Sequence, residues 1–429
     1  MANVHYPHLF TPITVRGKRI KNRIASAPHC GPNMFRCGEN GYSNFTETAV
    51  QYFGALARGG AGIVNTGHLG VDPRYYLGNN AELFNFFSTH SIHEHTLPVM
   101  HLMTDMIHSY GALASIELNH GGMFCTPVTP GTPLLWPSED TSTPNGPLAV
   151  KAMDEQDMHE VAEYFANAAR IGKRGGFDVV NVHAGHDWLL GAFLSPLDNR
   201  RTDAYGGSVR NRARFLCMVL QHVRQAVGED MLIEVRLSAS ELAPGGITLE
   251  DTVQTVRLIA PYVDIVQCSA GRIRDGSTSG FTFPLQYMER GCNTYLARRV
   301  RAETGVLVET VGGIGTPEMA EGLIKDGTAD FVGMARAWIA DPRLGAQGTG
   351  WPREGDSPLH PLFALHAFFR PAAIWPQRVH GEPAQALSPP VGTGRAFLPA
   401  KAGCCGGRRP GRDAGSLRTG PKGPFRHPV

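Results

Sequence analysis

Eight short runs rich in branched apolar residues, each followed by a longer segment able to supply a helix, divide this chain between Ile24 and about Pro342. The runs are 24–27, 62–66, 114–118, 179–183, 232–237, 265–269, 307–311 and 331–334, with Gly or Pro at nearly every junction. Apolar residues recur at intervals of three and four over 153–173, 209–227, 252–260 and 317–325, the period of an amphipathic helix. An eightfold strand–helix alternation predicts a (β/α)8 TIM barrel, an α/β fold, over residues 1–344. The competing fold, an open doubly wound sheet, needs a glycine-rich turn after its first strand, and Ala27-Pro28-His29-Cys30-Gly31 supplies none.

Composition narrows the partners. The 429 residues carry a formal charge of +2 and are 42% hydrophobic, which gives no electrostatic case for nucleic acid or a membrane surface. A small-molecule substrate is therefore expected. Met1-Ala2-Asn3-Val4-His5 lacks the basic and apolar regions of a secretory signal, and no segment is apolar for long enough to span a bilayer, so a cytoplasmic location is expected. Cysteines at 30, 37, 125, 217, 268, 292, 404 and 405 lack the spacing of a disulfide framework or a zinc site and are expected to be reduced. The oligomeric state is not fixed by any pattern.

Barrel enzymes place their chemistry at the carboxyl ends of the strands. The run ending at Val182 delivers His183 there, and Ala184-Gly185 lets the chain turn so that His186 converges on the same pocket. Two imidazole N–H groups suit a substrate oxygen that gathers negative charge, although a satisfied polar contact or chance metal ligation would read the same way. After the last two runs come Gly312-Gly313 and Gly333-Met334-Ala335-Arg336, where glycine N–H groups and a guanidinium can hold a phosphate. Simple turn glycines with a surface arginine are the plainer alternative. Both turns together favour a phosphorylated cofactor. No lysine is clearly placed for a pyridoxal Schiff base, so flavin mononucleotide fits, with Arg236 facing its ring unless a buried carboxylate pairs it.

These residues sit within a longer resemblance. His183-Ala184-Gly185-His186, Phe193-Leu194-Ser195-Pro196, Asn199-Arg200-Arg201-Thr202-Asp203, Tyr205-Gly206-Gly207-Ser208 and Asn211-Arg212 resemble the signature of the Old Yellow Enzyme family of NADH:flavin oxidoreductases. Lys21-Asn22-Arg23-Ile24, Ala27-Pro28-His29-Cys30, Gly59-Gly60-Ala61-Gly62 and the stretch 331–342 extend it over roughly the first four-fifths of the chain. Asn119-His120-Gly121-Gly122-Met123, Ser269-Ala270-Gly271 and Gly291-Cys292-Asn293-Thr294-Tyr295-Leu296-Ala297 are similar to its 2-enoate reductase and 2,4-dienoyl-CoA reductase-like branch, which reduces activated C=C bonds.

The resemblance implies FMN against Ala27, Pro28, His29, Cys30, Gly67 and Glu117, with Arg236 at the pyrimidine edge and Gly312, Gly313, Gly333 and Arg336 at the phosphate. It implies NAD(P)H as electron donor, and His183 and His186 as the pair that polarises the oxygen of an α,β-unsaturated acid or ketone. Many relatives have glutamine where this chain has Glu117, which accepts a hydrogen bond but cannot donate one when ionised. Many also carry a proton-donating tyrosine where this chain has Trp188, so the proton must come from water or another side chain. Pro28-His29-Cys30 also resembles amine dehydrogenases, in which the cysteine bonds covalently to the flavin. An ene-reductase, an amine dehydrogenase and a truncated remnant that binds FMN without turnover are thus three separate expectations.

From about Leu344 the composition turns rich in Pro, Arg, Gly and Ala, without periodicity. Such a stretch, 345–429, is either a low-complexity tail or an out-of-frame reading. Relatives of this branch continue into an iron–sulfur cysteine cluster and an FAD/NAD(P)H-binding half. A one-base shift permits Cys-x-x-Cys at Leu362-Phe363-Ala364-Leu365, C-T-V-N-P at 379–383 and G-G-G-P-A-G-M-Q-A at 407–415. A third cluster cysteine near Phe368 or Phe369 cannot be produced by that shift. The expected break lies between Arg343 and Gln347, and this chain as written does not support the cluster or FAD.

Overall fold

A computed structural model describes residues 6–29, 34–37, 43–77, 92–139 and 148–345. All of them belong to the first of two compact units, Met1–Ala372, while the second, Ala373–Val429, lies outside the described residues, as does almost all of the expected tail.

Eight parallel strands close into a barrel. They are numbered β1 (Ile24–Ser26), β2 (Ile63–Gly70), β3 (Leu113–Asn119), β4 (Val179–Ala184), β5 (Leu232–Ser238), β6 (Ile265–Ser269), β7 (Leu307–Val311) and β8 (Phe331–Met334), with β8 pairing β1 to complete the circle. All eight expected runs are strands. The helices that return the chain are α1 (Glu47–Arg58), α2 (Leu97–His108), α3 (Glu155–Arg174), α4 (Arg214–Val227), α5 (Leu249–Ile259), α6 (Thr294–Thr304), α7 (Pro317–Lys325) and the short α8 (Arg336–Ala340). Helix α3 starts at a capping box between Asp154 and Asp157 and turns Met158, Val161, Ala162 and Phe165 onto the barrel wall. The expected helix over 209–227 is broken at Ala213, because Arg212 turns inward and its Nε donates to Leu194 O at 2.7 Å.

The amino end of the barrel is shut. A hairpin, Ile13–Val15 with Lys18–Ile20, turns through Arg16 and Gly17, both at positive φ, as a tight two-residue turn between twisted strands requires. It drives Val15 and Ile20 against Ala25, Ile63, Val179, Leu232, Ile265 and Phe331, one apolar layer across the barrel floor. The carboxyl end is left for polar residues. Behind α8, Trp338 donates to Ala25 O at 3.4 Å, and the segment ending at Gly345 packs on Gly59 so closely that a side chain at either glycine would strike backbone.

Gly67 was expected to follow the second strand, but β2 is longer than expected and contains it. The register with β3 shifts between Asn65, opposite Ser115, and His68, opposite Glu117. Gly67 lies in that bulge at φ +77, a conformation that side-chain-bearing residues resist.

Candidate active site

Strand register assembles the site. His183 on β4 lies beside Arg236 on β5, Arg236 beside Gln267 on β6, and Asn181 beside Glu117 on β3. These polar side chains are all buried at the carboxyl half of the barrel, above its apolar floor.

The turn after β4 is built by close contacts. A Cβ on Gly185 would lie 2.6 Å from Ser238 N, and one on Gly191 would lie 2.9 Å from the Gly185 carbonyl. Both positions therefore need glycine. The His186 N–H donates to Ser238 Oγ at 2.9 Å, and Ser238 Oγ donates to Gly271 O at 3.0 Å, tying the turn to β5 and to the loop after β6. His186 and Asp187 have φ of 55° and 63°, a left-handed pair that costs roughly 1 kcal/mol or more at each residue.

Buried charge holds that turn in place. Arg272 contacts Asp187 at 2.8 Å, Asp198 at 2.8 Å and Glu241 at 3.7 Å, so three carboxylates from the connections after β4 and β5 share one guanidinium. Arg274 also pairs with Asp198, and its N–H donates to Asp187 Oδ2 at 2.8 Å. Burial pushes the Glu241 carboxyl up to about 7 despite the opposing pull of Arg272, and burial raises Asp198 as well.

The two expected histidines do converge. His183 Nε2 and His186 Nδ1 are 3.2 Å apart, the rings meet edge to face, and both side chains are almost fully buried. The Gly185 N–H donates to His183 Nδ1 at 3.3 Å, and His186 Nε2 lies 2.8 Å from Ser269 Oγ. Burial, helped by Arg236, holds the His186 pKa well below its ordinary value, so the ring is neutral near pH 7. Trp188 stacks edge-on against His183 and Phe124.

Arg236 forms no ion pair among the described residues, and its buried Nε has no hydrogen-bond partner, against the alternative of a structural ion pair. Gln267 Oε1 and Thr310 Oγ1 are likewise buried without partners. Such atoms cost free energy unless a ligand satisfies them, and a heteroaromatic ring bearing N–H and carbonyl groups would do so. Below them, Glu309 accepts from Gln267 at 2.7 Å and hydrogen-bonds Glu234, which accepts from Asn181 at 2.7 Å. Burial and the neighbouring Glu117 raise the Glu234 carboxyl to about 7, and burial and the Glu234 charge raise Glu309 well above its ordinary value.

The turns after β7 and β8 present a second cationic area. Gly312 and Gly313 have φ of 112° and 71°. Arg336 has no acidic partner among the described residues, and burial and the neighbouring Arg290 lower its pKa. Two adjacent cations with no ion-paired carboxylate among the described residues can accommodate an anion such as a phosphate. Gly333 has a different cause: a Cβ there would lie 2.1 Å from Glu309 Oε1, so glycine makes room for that carboxyl.

Ala27 is buried at the end of β1, its N–H donating to Met334 O at 2.8 Å, with Pro28 partly buried beside it. His29 braces this loop, its Nδ1 donating to Ala27 O at 2.7 Å and its Nε2 accepting from Tyr52 at 2.6 Å. Cys30 lies outside the described residues. Gln267, Arg290 and the acidic cluster around Arg272 escaped sequence reading, and Ser269 was read only within a family-like segment, without its contact to His186. Each is a single polar residue brought in from a separate strand or loop, with no local spacing to mark it.

The model of the NADH:flavin oxidoreductase / NADH oxidase family matches residues 8–347. A curated NADH oxidase from Thermoanaerobacter brockii is 32% identical over 364 residues, covering 82% of this chain and 51% of that protein. The chain thus spans about half the length of that relative. An NADPH dehydrogenase from Geobacillus thermodenitrificans is 32% identical over 336 residues, covering 78% of this chain and 91% of its own. Among solved structures, histamine dehydrogenase from Rhizobium sp. 4-9 has a TM-score of 0.69 at 28% identity, covering 80% of this chain and 48% of that one.

Proposed function

The chain belongs to the NADH:flavin oxidoreductase / NADH oxidase family, and from that membership we propose that it is an FMN-dependent ene-reductase acting on an α,β-unsaturated acid or ketone. The observation that carries this reading is the pair of imidazole nitrogens, 3.2 Å apart and buried beside Arg236 at the barrel mouth.

Arg236 and Gln267, with unsatisfied buried atoms, and Glu117 on β3 would hold the flavin ring. Ala27 and Pro28, braced by His29, and Gly67 in its bulge would border it. Gly312, Gly313 and Arg336, with Arg290, would hold the phosphate. When bound, FMN supplies hydride that it has received from NAD(P)H.

The protein's own contribution is electrostatic. Reduction of a conjugated C=C at its β-carbon drives charge onto the substrate's carbonyl or carboxylate oxygen, and N–H donors fixed beforehand stabilise that charge. His183 and His186 can each give one such donor to an oxygen about 2.9 Å from both nitrogens, the ordinary N–H···O distance. The neutrality of His186 matters, because a neutral donor can hold the oxygen without surrendering its proton outright. The α-carbon then takes its proton from water or from a side chain other than Trp188, whose indole is not a usable acid.

Likeness to a histamine dehydrogenase supports a second reading, amine oxidation at the same flavin. One experiment separates the two: anaerobic titration of the purified flavoprotein, bleached with dithionite, against enones, enoates and secondary amines. The ene-reductase reading requires reoxidation by at least one unsaturated acid or ketone. Bleaching of the oxidised flavin by amines, with no response to any unsaturated compound, would replace it with the second.

A further inference from the structure

His183 and His186 are joined in a hydrogen-bond chain whose direction can be worked out from one fixed donor. The Gly185 N–H can only donate, so His183 Nδ1 is an acceptor and the proton of this neutral ring sits on Nε2. That Nε2–H donates across 3.2 Å to His186 Nδ1, which is therefore an acceptor too. His186 is neutral, so its own proton is on Nε2 and is donated to Ser269 Oγ at 2.8 Å.

In this resting arrangement His186 has no proton facing His183, and only one N–H is directed toward the shared edge. A substrate oxygen gripped by both rings needs the His186 proton on Nδ1 instead, which leaves Nε2 as a buried acceptor. We propose that Ser269 is a positioning residue that lets His186 exchange tautomers: its hydroxyl accepts from Nε2 in the resting site and donates to Nε2 when an oxygen occupies the clamp. One proton changes place on the imidazole, from Nε2 to Nδ1, with no net charge gained. A hydroxyl can serve both states because it is donor and acceptor at once, whereas a methyl group satisfies neither.

The inference rests on the oxygen-clamp reading and is tested apart from turnover. The full-length oxidised holoprotein, with 15N-labelled histidine, is titrated with cyclohexanone, a saturated ketone that cannot accept hydride. Long-range 1H–15N spectra report which nitrogen of His186 carries the proton. The expected result is Nε2–H without cyclohexanone and Nδ1–H with it. Ser269→Ala is expected to weaken cyclohexanone binding about tenfold, the cost of stranding one buried acceptor, with Ser269→Thr restoring it. A proton on Nδ1 in the free protein, a ketone that perturbs His183 while His186 keeps its proton on Nε2, or wild-type affinity in Ser269→Ala would each overturn the role of Ser269 alone. Cyclohexanone that perturbs neither ring would remove the clamp reading and this inference with it.

Discussion

At Asp187 two demands meet, a left-handed backbone and a buried charge, and one substitution separates them. Asparagine tolerates positive φ but cannot neutralise Arg272, so Asp187→Asn keeps the turn's conformation and weakens the ion pair. Its expected cost is about 2 kcal/mol in urea unfolding, with Asp198 and Glu241 still holding the guanidinium. An unchanged midpoint would mean that the three-carboxylate cluster does not hold the turn. The histidines themselves should matter to chemistry more than to folding. His183→Ala and His186→Ala are each expected to lower kcat/KM for an enone by about 10²–10³-fold, judged by loss of one oxyanion donor, while retaining flavin. Equal loss of flavin would show that they support the cofactor instead. The pair was legible in the sequence because the two rings are three residues apart on one strand end. The contacts of Ser269 with His186 and of Arg272 with Asp187 were not, because only barrel closure brings β6 and its loop to β4.

Two elements can be tested as units. The β7 and β8 turns were legible as glycine clusters, yet their glycines answer to different causes, since Gly333 accommodates the Glu309 carboxyl and Gly312 and Gly313 have left-handed backbones. If Arg336 holds the FMN phosphate, Arg336→Ala should weaken FMN about ten- to a hundredfold and leave riboflavin, which has no phosphate, unaffected in fluorescence titrations. Equal weakening of both would place Arg336 elsewhere in the site. The Glu234–Glu309 pair inside the barrel gives a prediction in pH. Both carboxyls titrate above their unfolded range because of burial, with Glu117 also raising Glu234 and Glu234 raising Glu309, so the folded state binds protons that the unfolded chain has released. Their stabilising contribution is therefore complete below about 4.5 and is lost as pH rises through about 7 and beyond. Glu309→Gln preserves an acceptor for Gln267 and a donor for Glu234 but cannot ionise. Its Tm should decline less than the wild type's between roughly pH 6 and 9; parallel curves would exclude the pair as the source of alkaline instability.

On the scale of the whole chain, the barrel was legible because its eight strands are short, largely buried runs rich in branched apolar residues, with helices of clear period between them. The stretch after Gly345 offers no such pattern, and a physical reason for the barrel to be followed by text rich in Pro, Arg and Gly is missing. We propose a single base shift between Arg343 and Gln347, which permits, for codons allowed by these residues, a cysteine pair, C-T-V-N-P and a glycine-rich turn of the kind that approaches a dinucleotide phosphate, all in register. The family match ending at residue 347 falls at the same place. Resequencing the gene across these codons is expected to reveal one base too many or too few. An intact frame, with the same tail found by mass spectrometry in the expressed protein, would end this reading. The barrel can be judged independently: a chain stopped after Gly345 is expected to bind FMN as tightly as the full chain, because every residue assigned to the cofactor precedes that point.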